Sequence, residues 1–148
     1  MSDSNTSLEK DFNLLSNPNF EDYYELANFY KDNNVDKSFY WASKGADKKD
    51  VSSILKMGNA YHFGNGAVID LQKSIELYTQ VIKLANLNNS FEKDSAATAS
   101  SQLAFTYSFG YQGAPVDLLK TEKWLKKSIE LGRELKTENL IKVNIALK

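Results

Sequence analysis

The stretch YHFGNGAVID, residues 61–70, has a close counterpart in YSFGYQGAPVD, residues 107–117. In both, a tyrosine is followed three positions later by a glycine, a second glycine comes shortly after, and an aspartate ends the stretch. The first copy alone, with a histidine beside a Gly-x-Gly pair, resembles a catalytic or phosphate-binding loop. The second copy lacks the histidine but keeps the glycines and the aspartate, which favours a structural turn between two helices.

The two stretches belong to a longer pattern that occurs three times, in residues 23–46, 53–82 and 99–129. In each segment a large apolar residue is followed at once by a small one and three positions later by tyrosine, as in Leu26–Ala27–Tyr30, Met57–Gly58–Tyr61 and Leu103–Ala104–Tyr107. In each, a lysine is also followed four positions later by a bulky apolar residue and nine positions later by an aliphatic one, as in Lys37–Trp41–Ala46, Lys73–Leu77–Ile82 and Lys120–Trp124–Ile129. Two independent spacings that recur three times indicate an internal repeat.

These spacings predict that each repeat is a pair of amphipathic helices joined by a turn, because residues three and four apart share one face of a helix. Gly64 and Gly110 stand where the first helix of a pair ends and a left-handed residue is favoured. Three aspartates stand where a side-chain oxygen caps the second helix, namely Asp36, Asp70 and Asp117.

The combined pattern resembles the Sel-one-like repeat (SLR) family, which is related to the tetratricopeptide repeat. The resemblance covers about residues 20–132 and is carried by the small residue and tyrosine, the paired glycines, valine or isoleucine before aspartate, and lysine ahead of an aromatic residue. It implies an all-α fold, a short right-handed α-solenoid of about three helix-turn-helix repeats with helical caps. The repeats are placed at about 20–48, 52–85 and 96–132 within residues 19–133. Plain tetratricopeptide is the competing label, with a shorter linking turn and no paired glycines.

The segments outside the repeats are interpreted as tails and caps. Residues 1–7 are predicted to be a disordered tail, 8–18 an N-terminal capping segment and 134–148 a C-terminal capping helix. Between the second and third repeats, NLNNSFEKDS (residues 86–95) lengthens the period, since Met57 and Leu103 are 46 positions apart where Leu26 and Met57 are 31 apart.

Composition limits the class of protein. The chain has 148 residues, 42% of them apolar, and no cysteine, so a single globular domain without disulfides is expected. No stretch is apolar enough for a membrane span or a leader, and a cytoplasmic location is therefore expected.

Charge is distributed unevenly along the chain. Residues 1–36 carry a net charge of -6 and residues 120–148 a net charge of +4, which predicts an acidic end and a basic end. Arg133 is the only arginine, so the guanidinium contacts that read nucleic acid are nearly absent and no nucleic-acid partner is expected. Head-to-tail self-association of the two ends is a further hypothesis, although a monomer is favoured.

No catalytic or metal site is predicted. His62 is the only histidine, and its sequence surroundings supply neither a nucleophile motif nor further nitrogen or sulfur ligands. The Gly64–Gly66 turn lacks the Lys-Ser/Thr pair of a phosphate-binding loop and follows a helix where such loops follow a strand. The aromatic residues of the repeat are expected in the core. No cofactor is predicted, and His62 is expected to face the inner surface, exposed or in contact with a partner.

The resemblance implies that a partner binds in the concave groove lined by the first helix of each repeat. The family's groove positions, transferred by register with Phe109 at the rim, give ten partner-binding candidates: Glu25, Asn28, Lys31, Lys56, Asn59, His62, Gln102, Phe105, Ser108 and Phe109. Phe105 is an apolar ring at a groove position, which is typical of an interface anchor. Phe63 is placed at the rim as well.

The predicted function is a non-catalytic interaction module that binds one protein partner, in the form of a small immunity- or antitoxin-like inhibitor of a toxin. The acidic end favours a basic partner such as a nuclease toxin. The alternative is an adaptor or scaffold in a bacterial signalling or envelope pathway. A β-lactam-binding hydrolase is the least favoured alternative, because the SLR proteins for which such activity has been claimed resemble disulfide-linked secreted proteins.

Overall fold

A computed structural model of the chain describes residues 20–132, and within that range every regular element is helical. Six α-helices follow one another: α1 (Phe20–Tyr30), α2 (Val35–Asp47), α3 (Val51–Phe63), α4 (Leu71–Leu84), α5 (Ser90–Phe109) and α6 (Leu118–Glu130). A short 3-10 turn (Tyr111–Gly113) lies between α5 and α6. The predicted tail and both predicted caps lie outside the described residues.

The helices form three pairs, α1 with α2, α3 with α4 and α5 with α6, and each pair packs on the next. The first helices also contact one another directly, α3 lying against both α1 and α5. The all-α solenoid predicted from the repeat pattern is confirmed.

The core follows the same order. One buried cluster joins the first pair to α3 through Leu26, Tyr30, Trp41 and Met57. A second joins the middle pair to α5, with Ile54, Tyr78, Val81 and Leu103 at its centre. Each pair thus buries its apolar face against its neighbours, as expected of a solenoid.

The turns use the glycines as predicted. Gly64 and Gly110 end α3 and α5 with φ of 77° and 63°, a left-handed conformation that a side chain would strain. A Cβ atom on Gly64 would also approach Cγ1 of Ile69 to 3.1 Å. The glycine pairs are therefore the hinges between the two helices of a repeat.

Two of the three predicted aspartate caps are confirmed and one is wrong. The side chains of Asp70 and Asp117 accept hydrogen bonds from the backbone N–H groups of Lys73 and Lys120, each at 3.0 Å. In the first repeat, however, Asn34 caps α2 by accepting from Lys37 N–H at 3.1 Å, and Asp36 lies in the first turn. The capping residue stands three positions before the repeat lysine in all three repeats, and in the first repeat that position is Asn34, whereas Asp36 directly precedes Lys37.

Candidate functional site

The candidate site is the face formed by the first helices of the three pairs, α1, α3 and α5, which we call the inner face. Nine of the ten predicted partner-binding residues have side chains that reach solvent there: Glu25, Asn28, Lys31, Lys56, Asn59, Gln102, Phe105, Ser108 and Phe109. Whether a partner touches them stays a prediction.

His62 is the exception, and the expectation that its side chain is exposed on the inner surface is wrong. Its ring is fully buried and stacks on the ring of Tyr111, with centroids 4.4 Å apart and planes 10° from parallel. The Tyr111 hydroxyl donates a hydrogen bond to the His62 carbonyl oxygen at 3.0 Å. Register within one repeat could not predict this contact, because Tyr111 comes from the turn of the following repeat.

The buried imidazole of His62 is unusual in having no hydrogen-bond partner at either Nδ1 or Nε2 within the described part of the chain. Its neighbours are the rings of Phe63, Tyr78, Phe105 and Tyr111. Removal from water disfavours the protonated ring, so burial lowers the pKa of His62 below its ordinary value. A neutral ring held among aromatic side chains offers no oriented partner for acid–base catalysis.

Above His62 lies a cluster of rings that we call the aromatic patch, formed by the exposed Phe63, Phe105 and Phe109 and the half-buried Tyr111. The Phe105 ring centroid is 5.5 Å from that of Phe109 and 5.5 Å from that of Tyr111. The three phenylalanines keep 47%, 40% and 48% of their surface exposed in chain order. Contiguous exposed aromatic side chains are a common mark of a protein-binding surface.

Three further candidates line a cavity of about 570 Å³ between the first pair and α3, which we call the lysine cavity. They are Lys31, Lys56 and Asn59, and Phe63 joins the cavity to the aromatic patch. Burial and, second, the charge of Lys31 lower the pKa of Lys56, while Asp32 opposes the shift. The Asn59 side-chain oxygen accepts a hydrogen bond of 2.7 Å from the buried Tyr78 hydroxyl, which orients its amide.

A second, larger cavity of about 850 Å³ lies on the inner face beside the N-terminal part of α5. Only two of its lining residues were among the candidates, Glu25 and Asn28. The others are Tyr24, Phe29, Asp50, Ser52, Leu55, Asn89, Phe91, Glu92, Asp94 and Ser95. We call it the acidic cavity, because the charged residues that line it are all aspartate or glutamate.

The acidic cavity exists because α5 is longer than its counterpart. Helix α5 has 20 residues against 13 in α3, and both end six residues after their equivalent core positions, Leu103 and Met57. About two additional turns therefore extend α5 at its N-terminal end. The lengthened period in the sequence indicated that residues are added between the second and third repeats. It did not indicate which conformation these residues adopt.

The described residues contain no cluster of three or more histidine, cysteine, aspartate or glutamate side chains arranged to hold a metal ion. Nor does any helix within residues 20–132 combine the length and apolar character needed to span a bilayer.

Comparison with known proteins assigns the repeat. The family model described as Sel1 repeat matches residues 23–50, 51–86 and 97–132. The chain belongs to the Sel1 repeat family. Sel1 repeats generally act as scaffolds for protein–protein interaction, and protein partners are their usual ligands.

Solved structures with the Sel1 repeat fold include a Sel1 repeat protein from Oxalobacter formigenes, which is 19% identical to this chain with a TM-score of 0.67. The match covers 84% of this chain and 88% of that one. A protective antigen present in uropathogenic Escherichia coli strains, which displays an SLR fold, is 20% identical with a TM-score of 0.46, over 78% of this chain and 31% of that one. At these identities the likeness concerns the fold alone. No curated protein matches the chain.

Proposed function

We propose that this Sel1 repeat protein is a non-catalytic interaction module that binds one protein partner on its inner face, with the aromatic patch as the anchor. The observation that carries the proposal is the exposure of Phe63, Phe105 and Phe109 in one place, where two of the rings already contact each other. Exposure of apolar rings to water is unfavourable, and a partner that buries them gains free energy of binding.

Two of the rings lie on a helix and one packs against other rings, which favours their use in recognition. Phe105 and Phe109 belong to the last turns of α5, and Phe105 packs on the rings of His62 and Tyr111. Binding to side chains that are already ordered loses less conformational entropy than binding to mobile ones. The patch is thus suited to a partner with an apolar protrusion.

Within this function we propose a basic partner, and in its specific form an inhibitor of a toxin such as a nuclease, acting in the cytoplasm. Charge supports the basic partner, since acidic side chains line the larger cavity on the inner face. Complementary charge raises the association rate more than it raises affinity.

The test is an affinity capture from the native cell with the tagged full chain, followed by quantitative binding of the recovered partner. Phe105→Ala should weaken binding by about thirtyfold or more, because central aromatic anchors contribute about 2 kcal/mol or more to an interface. Leu119→Ala is the matched control, since Leu119 is 77% exposed on α6, away from the inner face. Equal binding by both variants and the native chain would refute the anchor.

The identity of the captured protein separates the forms of the proposal. A toxin whose activity is blocked on binding supports the inhibitor form, whereas a signalling or envelope component supports the adaptor form. Turnover of a chromogenic β-lactam by the purified chain would instead contradict a non-catalytic module.

A further inference from the structure

Aromatic and apolar side chains also line the acidic cavity, which distinguishes it from a plain cluster of carboxylates. Tyr24 and Phe29 come from α1, Leu55 from α3 and Phe91 from the added turns of α5. Phe91 is 78% exposed and Phe29 50% exposed, so both rings are available to a ligand. The cavity is therefore an apolar groove that spans all three first helices.

The charged residues that line the cavity are all acidic, although the Lys56 ammonium lies over the ring of Tyr24 at 6.0 Å from its centroid. Glu25, Asp50, Glu92 and Asp94 line the groove, and no lysine or arginine does; Lys93 lies between two of these acids in sequence but outside the lining. Asp50 and Glu92 also accept backbone hydrogen bonds, from Ser53 and Asn86 respectively, which fixes their position. A ligand that fills this groove must bury apolar surface and present positive charge to the rim.

We propose that the acidic cavity is a second docking site that takes a basic amphipathic segment of a partner protein, its apolar side chains between Phe29, Leu55 and Phe91 and its lysine or arginine side chains at the acidic rim. The proposal rests on the proposed function, because it concerns another part of the same inner face. It goes beyond that function by specifying the chemistry of the bound segment and a separate site, which includes turns of α5 that have no counterpart in α3.

A second copy of this chain is a poorer occupant than another protein. The basic helix of the described chain is α6, and its lysines already have intramolecular partners. Lys120 and Lys123 lie over the rings of Tyr107 and Trp124, at 5.1 and 4.5 Å from the centroids. Lys126 and Lys127 pair with Glu122 and Glu130 at 2.8 and 3.7 Å. Docking α6 into the acidic cavity would give up these contacts.

A defined probe tests the site without knowledge of the natural partner. The probe is an amidated peptide of about 12 residues with lysine and leucine at amphipathic helical spacing, compared with a glutamate–leucine peptide of the same length. It is titrated into the ¹⁵N-labelled full chain and followed by NMR. The lysine peptide should shift the amides of Phe29, Leu55 and Phe91 most, and the glutamate peptide should not.

Two variants test the two parts of the recognition. Phe91→Ala removes the most exposed ring, and the double change Glu25→Lys with Asp94→Lys reverses two rim charges that make no hydrogen bond within the described chain. Each variant should bind the lysine peptide about tenfold more weakly than the native chain does. Asp47→Lys with Glu76→Lys, the same change in net charge on α2 and α4, should weaken this binding by less than about twofold.

Several outcomes overturn the proposal. They are no shift of the groove amides at millimolar lysine peptide, equal shifts by both peptides, or unchanged binding by the two groove variants. Sedimentation that shows an oligomer of the native chain, lost in the double variant, would make a second copy the occupant and contradict a heterologous partner.

The captured natural partner separates this proposal from the preceding one. Loss of binding with Phe105→Ala but not with Phe91→Ala supports the aromatic patch and refutes the second docking site. Loss of binding with Phe91→Ala but not with Phe105→Ala supports the second docking site and refutes the aromatic patch as the anchor. If neither variant weakens binding, both proposals fail.

Discussion

The ammonium group of Lys73 lies 5.0 Å from the centroid of the Tyr61 ring, joining α4 to the end of α3. The same contact occurs in the other two repeats, where Lys37 lies 4.8 Å from Tyr30 and Lys120 lies 5.1 Å from Tyr107. These are the tyrosines and lysines that define the repeat in the sequence. The pattern therefore records a cation–π contact that closes each helix pair beside its turn.

Removing the charge of Lys73 should destabilise the fold modestly. Lys73→Met keeps most of the aliphatic stem and loses the cation, so we expect a decrease of about 0.5–1 kcal/mol in the free energy of unfolding, measured by urea denaturation. Lys93→Met, an exposed lysine on α5 with no described partner, should change it by less than half as much. Equal losses in both variants would show that the ring contact contributes nothing.

Acidification should destabilise the protein through His62. Burial lowers its pKa in the folded state, so below the unfolded-state pKa of about 6.5 the unfolded chain binds the proton more readily. Stability from this group is therefore fully present above pH 6.5 and is lost as the pH falls towards the folded pKa, at no more than about 1.4 kcal/mol per pH unit.

The measurement is the free energy of unfolding between pH 7.5 and 5 for the native chain and for His62→Phe, which keeps the stack on Tyr111. The variant should show a smaller loss over this range, because it has no group to protonate there. Burial raises the pKa of Tyr78, whose ring lies against His62, so Tyr78 stays neutral throughout this range in the native chain and in the variant. Parallel curves would contradict a titrating buried His62.

The cap at Asp70 offers a test of the turn. Asp70→Ala removes the acceptor for the N–H of Lys73 and should cost about 1 kcal/mol. Asp70→Asn keeps a capping oxygen and should cost much less. Thermal denaturation of the two variants compares them directly, and an asparagine variant as unstable as the alanine variant would show that the carboxylate acts by charge alone.

The absence of a side chain at Gly58 leaves room for the ring of Tyr78. A Cβ atom on Gly58 would lie 2.8 Å from Cε1 of Tyr78, and that ring is fully buried. In Gly58→Ala the gain in helix propensity, about 1 kcal/mol, opposes an overpacking cost of about 1–3 kcal/mol. We expect net destabilisation in chemical denaturation.

A double variant checks the cause of this loss. In a Tyr78→Leu background the alanine at position 58 should no longer destabilise, since the ring that it meets is gone. A Gly58→Ala cost that persists in this background would place its origin elsewhere in the helix.

The sequence by itself determined the repeat, the helix pairs and the hinges. Helix periodicity, glycine at left-handed positions and the aspartate caps are local features, and each depends on residues only a few positions apart. This is why α3, α4 and their glycine hinge were predictable. The cap of α2 was the local exception: Asp36 is a common capping residue type, but Asn34 holds the position three residues before the lysine, as Asp70 and Asp117 do in the other repeats.

Only the tertiary structure decided what the inner face contains. Register placed His62 towards the groove, but Tyr111, 49 positions later, returns over its ring and buries it. The lengthened period between the second and third repeats did not show that the added residues extend α5. In the structure their Phe91 lines one cavity with Phe29 of α1 and Leu55 of α3. Such contacts depend on how successive helix pairs stack. That stacking is set by packing between residues that are far apart in the sequence, so short-range sequence patterns do not predict it.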